Sequence, residues 1–224
     1  MHSSIRRSLV YAAGLFLLAT GVSFSIAAGF GVSPVSSLAV AVTITTGITV
    51  GVTTVLANVL FIVIQMALGK TVTPAGFGMQ FLAAFVFGVF IDSTLWVLET
   101  VYIPETLFSR SLFLGISLLL IAAGLFSYIS AKFPLMPYDA MTQAVSARFF
   151  WPFARAKVTS DGINVACAGT LCLAVTQTFG SIGIGTLIAA ASVGRLIGLF
   201  SRLFQQPLQQ WLSAGETIHP NRVP

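Results

Sequence analysis

The chain has 224 residues, 56% of them hydrophobic and 8% charged, with 11 Lys or Arg against 6 Asp or Glu. An average soluble domain is roughly 25% charged, so a water-covered globule of this size is excluded. The apolar content rules out disorder, and two cysteines rule out a disulfide scaffold. The formal charge of +5 does not make a nucleic-acid surface, because the basic residues are separated by long uncharged runs. With a mean hydropathy of +0.96, the chain reads as an all-α, polytopic integral membrane protein.

A membrane-crossing helix takes about 20 mainly apolar residues. In chain order the stretches that qualify are 9–30, 50–68, 78–98, 112–131, 162–179 and 183–203. The first follows Arg6 and Arg7 and closes in small residues around Ser25, Ala27 and Ala28, which imitates a secretory signal. Its length, and the repeat described below, favour a retained first helix. Pro34 should end it, since proline disfavours helix in the preceding residue and has no N–H to offer. Ser36 is suited to cap a new, short helix. The uncharged, Thr-rich stretch that follows is too short to cross.

The second span carries Asn58 near its centre, suited to an interhelical hydrogen bond or to a ligand. The third opens at Gly76-Phe77-Gly78 and holds Asp92, about 6 Å beyond the midplane by its distance from Gly78. After the fourth span, Pro137 and Asp139 take the places that Pro34 and Ser36 take after the first. Met141, Val145 and Phe149 then form an apolar stripe. Each short segment is either an interfacial helix or a half-helix dipping toward the midplane. Charge favours the interface for the second, and its absence favours dipping for the first. Asp161 reads as an N-cap to the fifth span. The sixth opens at Gly183-Ile184-Gly185 and holds Arg195 near the midplane. A charge so deep costs at least about 2.5–3.5 kcal/mol. Asp92 and Arg195 should therefore pair or line a cavity, unless Arg195 snorkels to the interface.

Orientation follows the basic residues. Arg6, Arg7, Lys70, Lys132, Arg148, Arg155, Lys157, Arg202 and Arg222 fall on one side if every span crosses, and Arg110 alone falls on the other. This predicts both termini in the cytoplasm.

The sequence also repeats itself. An offset of 103 lays residues 15–34 on 118–137 with eight identities, among them Gly21/Gly124, Phe30/Phe133 and Pro34/Pro137. The later Gly-x-Gly elements match if a few residues are inserted in the second copy, for which Phe149-Phe150-Trp151-Pro152-Phe153 is the natural place. Three spans per copy is odd, so the copies must be inverted, as in many secondary transporters and some channels. The expected units are 1–103, an inverted 104–205, and a cytoplasmic tail over 206–224.

No enzyme signature is present. His2 and His219 lie at the ends, Cys167 and Cys172 suit neither a disulfide nor zinc, and no Gly-rich phosphate loop with its Lys occurs. The reading is therefore not an enzyme, with no cofactor and no metal.

Gly31-Val32-Ser33-Pro34, Gly88-Val89-Phe90-Ile91-Asp92, Pro137-Tyr138-Asp139, Asp161-Gly162 and Gly183-Ile184-Gly185-Thr186 together resemble the bacterial YczE/YyaS/YitT-type integral membrane proteins. Such proteins usually read Ser-Pro-Trp-Asp after the first helix, whereas this chain has Ser33-Pro34-Val35-Ser36 and lacks the aromatic and the acid. The resemblance implies class and topology without a substrate.

The expected function is an inner-membrane transporter or exporter of a small solute, not ATP-driven, working by alternating access between inverted halves. Pro34, Ser36, Asn58, Asp92, Pro137, Asp139 and Arg195 are the candidate solute-binding residues. The expected partners are the lipid bilayer and the solute, with no nucleic acid, and a homo-oligomer is compatible with the sequence. The rival reading is a membrane partner that regulates or anchors another protein.

Overall fold

A computed structural model describes residues 3–69 and 73–213. Among them the chain forms eight helices and no strands: α1 Ser3–Ala28, α2 Pro34–Thr46, α3 Val50–Ala67, α4 Pro74–Val101, α5 Leu107–Ser130, α6 Pro137–Phe149, α7 Phe153–Thr176 and α8 Ile184–Ser213. All but α2 and α6 are long and apolar enough to cross a membrane. Leu56 and Leu60 on α3, Phe81 and Phe85 on α4, Leu119 on α5 and Leu187 on α8 are exposed on the outside of the bundle. Such a surface is tolerable against hydrocarbon and unstable against water.

The most extensive helix contact among the described residues is the antiparallel crossing of α1 and α5. A Cβ on Gly124 would stand 2.5 Å from the backbone nitrogen of Leu18, and one on Gly21 would stand 2.7 Å from that of Ile121. Gly14 is equally confined, with Tyr128 N at 2.6 Å. Lipid tails are as apolar as side chains, so helices in a membrane associate through such close backbone approach. Arg110 closes this crossing at one end. Its guanidinium donates to the carbonyls of Ala28 and Gly29 at 2.8 and 2.7 Å and lies 4.8 Å from the Phe30 ring centre. The cation thereby satisfies carbonyls left free at the C-terminus of α1.

The two short helices are built alike. Each has 13 residues, proline at its first position and a left-handed residue after its last: Gly47 at φ 75° and Phe150 at φ 55°. Both are wedged among long helices, α2 against α7 and α3, and α6 against α3 and α7. Ser37, Ala39, Val40 and Ala41 of α2 are buried, as are Tyr138, Ala140, Met141 and Thr142 of α6. Both therefore pack one face among the long helices, with Val35, Ile44 and Phe149 left exposed.

Several expectations change. Ser36 and Asp139 are not N-caps. The helices start earlier, at Pro34 and Pro137, because proline's fixed φ suits the first helical position, where its missing N–H is no loss; Ser33 and Met136 precede them. Residues 149–153 do not hold an insertion either. The three-residue turns 47–49 and 150–152 are the same length, and the extra length of the second half enters with α7, 24 residues against 18 in α3. Asp161 is not a cap but lies well inside α7. Arg155 and Lys157, read as loop charges, lie in that helix too. The Lys157–Asp161 pair at i, i+4 lets the helix run on through a stretch whose hydropathy is low.

The tail expected from residue 206 is helical as far as Ser213, since α8 continues through Pro207. Arg6 ties this extension to α1, donating to the Trp211 carbonyl at 2.8 Å with its guanidinium 5.2 Å from the indole centre. Gln209 ties it to α5 by donating to the Ser130 carbonyl at 2.9 Å. Both ends of the described chain therefore meet at one end of the bundle. Lys70, His2, His219 and Arg222 lie outside the described residues.

Candidate functional site

A cavity of about 560 Å³ occupies the middle of the bundle, and every one of the eight helices contributes to its wall. Most of that wall is apolar: Leu18 and Val22 of α1, Phe61 of α3, Phe87 of α4, Ile121 and Leu125 of α5. Volume and lining fall in the range of sites for small organic molecules.

One side of the cavity is charged. Lys157 of α7 places its ammonium 3.1 Å from Asp161 and 3.9 Å from Asp139 of α6, and 4.3 Å from the centre of the Tyr138 ring. The Tyr138 hydroxyl donates to Asp161 at 2.5 Å, and the buried Tyr128 hydroxyl donates to Asp139. Burial, reinforced by the Asp161 and then the Asp139 carboxylate, holds the Tyr138 phenol well above the ordinary tyrosine range. It therefore stays a donor. Two carboxylates face one ammonium, so the cluster is formally one negative charge in excess. Asp139, in the first turn of α6, also sits where that helix's dipole favours an anion.

The opposite side is polar but uncharged. Ser33 donates its hydroxyl to Ser36 at 3.3 Å at the start of α2. Asn58, 5% exposed, donates its amide nitrogen to the Thr54 carbonyl at 2.9 Å, and its amide oxygen has no hydrogen-bond partner. The bond to Thr54 settles which end of the amide faces the helix backbone, so the free group is the acceptor. The interhelical bond expected of Asn58 is not made. An offset of 103 relates Ser36 to Asp139, Thr54 to Lys157 and Asn58 to Asp161, and all six line the cavity. Two further cross-links hold this arrangement. Asn164 on α7 donates to the carbonyls of Pro34 and Val35 at 2.6 and 3.0 Å, and Phe61 on α3 packs its ring 4.9 Å from that of Tyr138.

Of the seven residues singled out from the sequence, Pro34, Ser36, Asn58 and Asp139 line the cavity. Pro137 is buried at the start of α6, outside the wall. Asp92 and Arg195 are neither paired nor part of it. The Asp92 carboxylate accepts from the Thr49 hydroxyl and the Gly51 amide, both at 2.7 Å, and so closes the N-terminus of α3. Arg195 is exposed on the outer face of α8. Lys157, read from the sequence as a loop charge, Asp161, read as an N-cap, and Tyr138 and Tyr128 were not among those seven. The i, i+4 spacing of Lys157 and Asp161, together with the offset that lays Asp161 on Asn58, is the signal that could have found two of them. Cys167 is exposed and Cys172 buried, and both are free thiols.

Six long apolar helices around a largely apolar cavity with one charged side define a multi-pass helical membrane protein. The chain belongs to the family described as "Family of unknown function (DUF6198)", which it matches over residues 5–202. It is 30% identical over 201 residues to the "Uncharacterized protein YyaS" of Bacillus subtilis (strain 168), covering 88% of this chain and 94% of that one. This bears out the YyaS-type resemblance. No solved structure matches the chain.

Proposed function

We propose that this chain is a transporter of a small solute in a bacterial inner membrane, with both termini in the cytoplasm and alternating access between two inverted halves. The observation that carries the proposal is the cavity, to which all eight helices contribute and whose apolar wall holds Asp139, Lys157 and Asp161. A scaffold or anchor has no use for an unfilled volume with charged groups in it, since desolvating them costs several kcal/mol per ion.

The inverted-repeat reading draws support from pairs of contacts that the offset of 103 exchanges. Gly21 against Ile121 becomes Gly124 against Leu18, and Phe61 against Tyr138 becomes Asn164 against Val35. Gly29 and Lys132, also 103 apart, both adopt left-handed backbone, at φ 65° and 59°. The offset further sets Arg7 opposite Arg110. Antiparallel α1 and α5 would form the axis about which the two halves exchange conformations. This chain has no phosphate loop, so movement would be passive or ion-coupled.

The test needs no identified solute. With Cys167 and Cys172 replaced, Ser36→Cys should react with a membrane-impermeant maleimide added from either face of oriented vesicles. Asp161→Asn should change the ratio of the two rates. A cysteine that reacts from neither face, or from one face only in both backgrounds, contradicts alternating access.

A further inference from the structure

The two sides of the cavity differ in a way that selects a ligand. On the α6–α7 side the carboxylates of Asp139 and Asp161 outnumber the single Lys157 ammonium, and the Tyr128 and Tyr138 phenols already spend their donors on those carboxylates. On the α3 side Asn58 lines the cavity, nine-tenths buried, and its amide oxygen has no donor. A buried acceptor with no partner costs about 1–3 kcal/mol, and an excess anion in a partly buried cluster is unfavourable as well. Both deficits call for the same complement, a positive group carrying N–H. The rest of the wall supplies aliphatic side chains and the rings of Phe61 and Phe87, which suit an apolar body and tolerate a cation at a ring face.

We propose that the cavity binds an organic monocation, a protonated amine on an apolar body, whose ammonium sits among Asp139, Asp161 and the Asn58 oxygen. An anion of the same shape would meet the excess carboxylate, and a neutral alcohol would leave the net charge unmatched. The inference names the solute class for the transport reading and rests on that reading for movement, though not for binding.

Equilibrium dialysis of the purified chain in detergent, with labelled phenethylammonium, phenethyl alcohol and hydrocinnamate, tests the class. Saturable binding of the ammonium, about tenfold or more tighter than the other two, is the expected result. Asn58→Leu and Asp161→Asn should each weaken it about tenfold. Asn58→Asp, which places a second carboxylate where the offset puts one, should tighten it, a gain that misfolding cannot imitate. No saturable binding of the ammonium, equal or better binding of hydrocinnamate, or no gain in Asn58→Asp overturns the proposal. Counterflow in proteoliposomes separates the two readings. Ammonium that binds but does not exchange sinks transport and leaves the site, whereas exchange of hydrocinnamate in preference to ammonium sinks the class and leaves transport.

Discussion

Lys157 holds its ammonium 3.1 Å from Asp161, one helical turn further along α7, and the pair faces the central cavity. Asp139 approaches the same ammonium at 3.9 Å from α6. Among the described residues Lys157 is thus the one cation paired with these two carboxylates, which different helices bring in. Lys157→Met should lower stability by about 1–2 kcal/mol, a figure reduced from that of fully buried pairs because the three side chains are partly exposed. Asp139→Asn in the Lys157→Met background should restore part of that loss by removing one uncompensated charge. Thermal unfolding of the four variants in the cycle reads this directly, and strict additivity would contradict the shared-cation geometry.

Tyr138 should make the stability of the protein fall at alkaline pH. Its phenol pKa is raised in the folded chain, so its contribution is fully present below the ordinary tyrosine range near pH 10 and is lost as pH rises beyond it. In that window the unfolded chain releases the proton while the folded chain keeps it, giving a slope of up to about 1.4 kcal/mol per pH unit. Tyr138→Phe should flatten the alkaline limb of a stability-against-pH curve by that amount. An unchanged slope counts against the buried Tyr138–Asp161 bond.

Asp92 is expected to be a structural residue. It accepts from Thr49 and Gly51 at the start of α3, and Gly51 has no room for a side chain because Gly88 O and the Asp92 carboxylate lie against it. Asp92→Ala should cost about 1–2 kcal/mol, the size of a lost N-terminal cap, while leaving ligand preference intact. A changed preference in dialysis would bring Asp92 into the site after all.

The α1–α5 crossing should tolerate no side chain. Gly124→Ala and Gly21→Ala drive a methyl into backbone at 2.5 and 2.7 Å, and separating the helices should cost about 1–3 kcal/mol. Gly115→Ala, with nothing within 4 Å of its added Cβ, should instead be neutral or stabilising by up to about 1 kcal/mol. Chemical denaturation of the three variants decides it, and equal effects at Gly115 and Gly124 would remove the crossing's special status.

Arg195 is expected to be dispensable to the site. It is exposed on α8 and makes no hydrogen bond or ion pair within the described residues. Arg195→Gln should bind phenethylammonium as the parent chain does, and a tenfold loss would show that the arginine reaches the cavity.

The long spans were legible because membrane crossing is written in composition: about 20 apolar residues between Lys- or Arg-bearing ends leave few alternatives. The turns after α1 and α5 were legible as well, since Pro34 and Pro137 act on their own backbone. The offset of 103 was legible, and through it the parallel construction of α2 and α6. Asp92 and Arg195 were singled out because each is a lone charge in an apolar window, yet that signal does not distinguish a cap, a lipid-edge residue and a cavity residue. Lys157 and Asp161 were passed over for the complementary reason: they dilute the hydropathy of α7 enough to look like a loop and a cap.

Composition and charge placement alone thus decide class, number of spans and their apolar faces, because each depends on a side chain's transfer between water and hydrocarbon, a property of the residue. Which polar groups share the cavity was settled only when α6 and α7 came together. Asp139 and Lys157 are 3.9 Å apart on separate helices, and Asn58 belongs to the same cavity from a third. Proximity of that kind depends on helix packing and rotation, which are properties of the whole bundle.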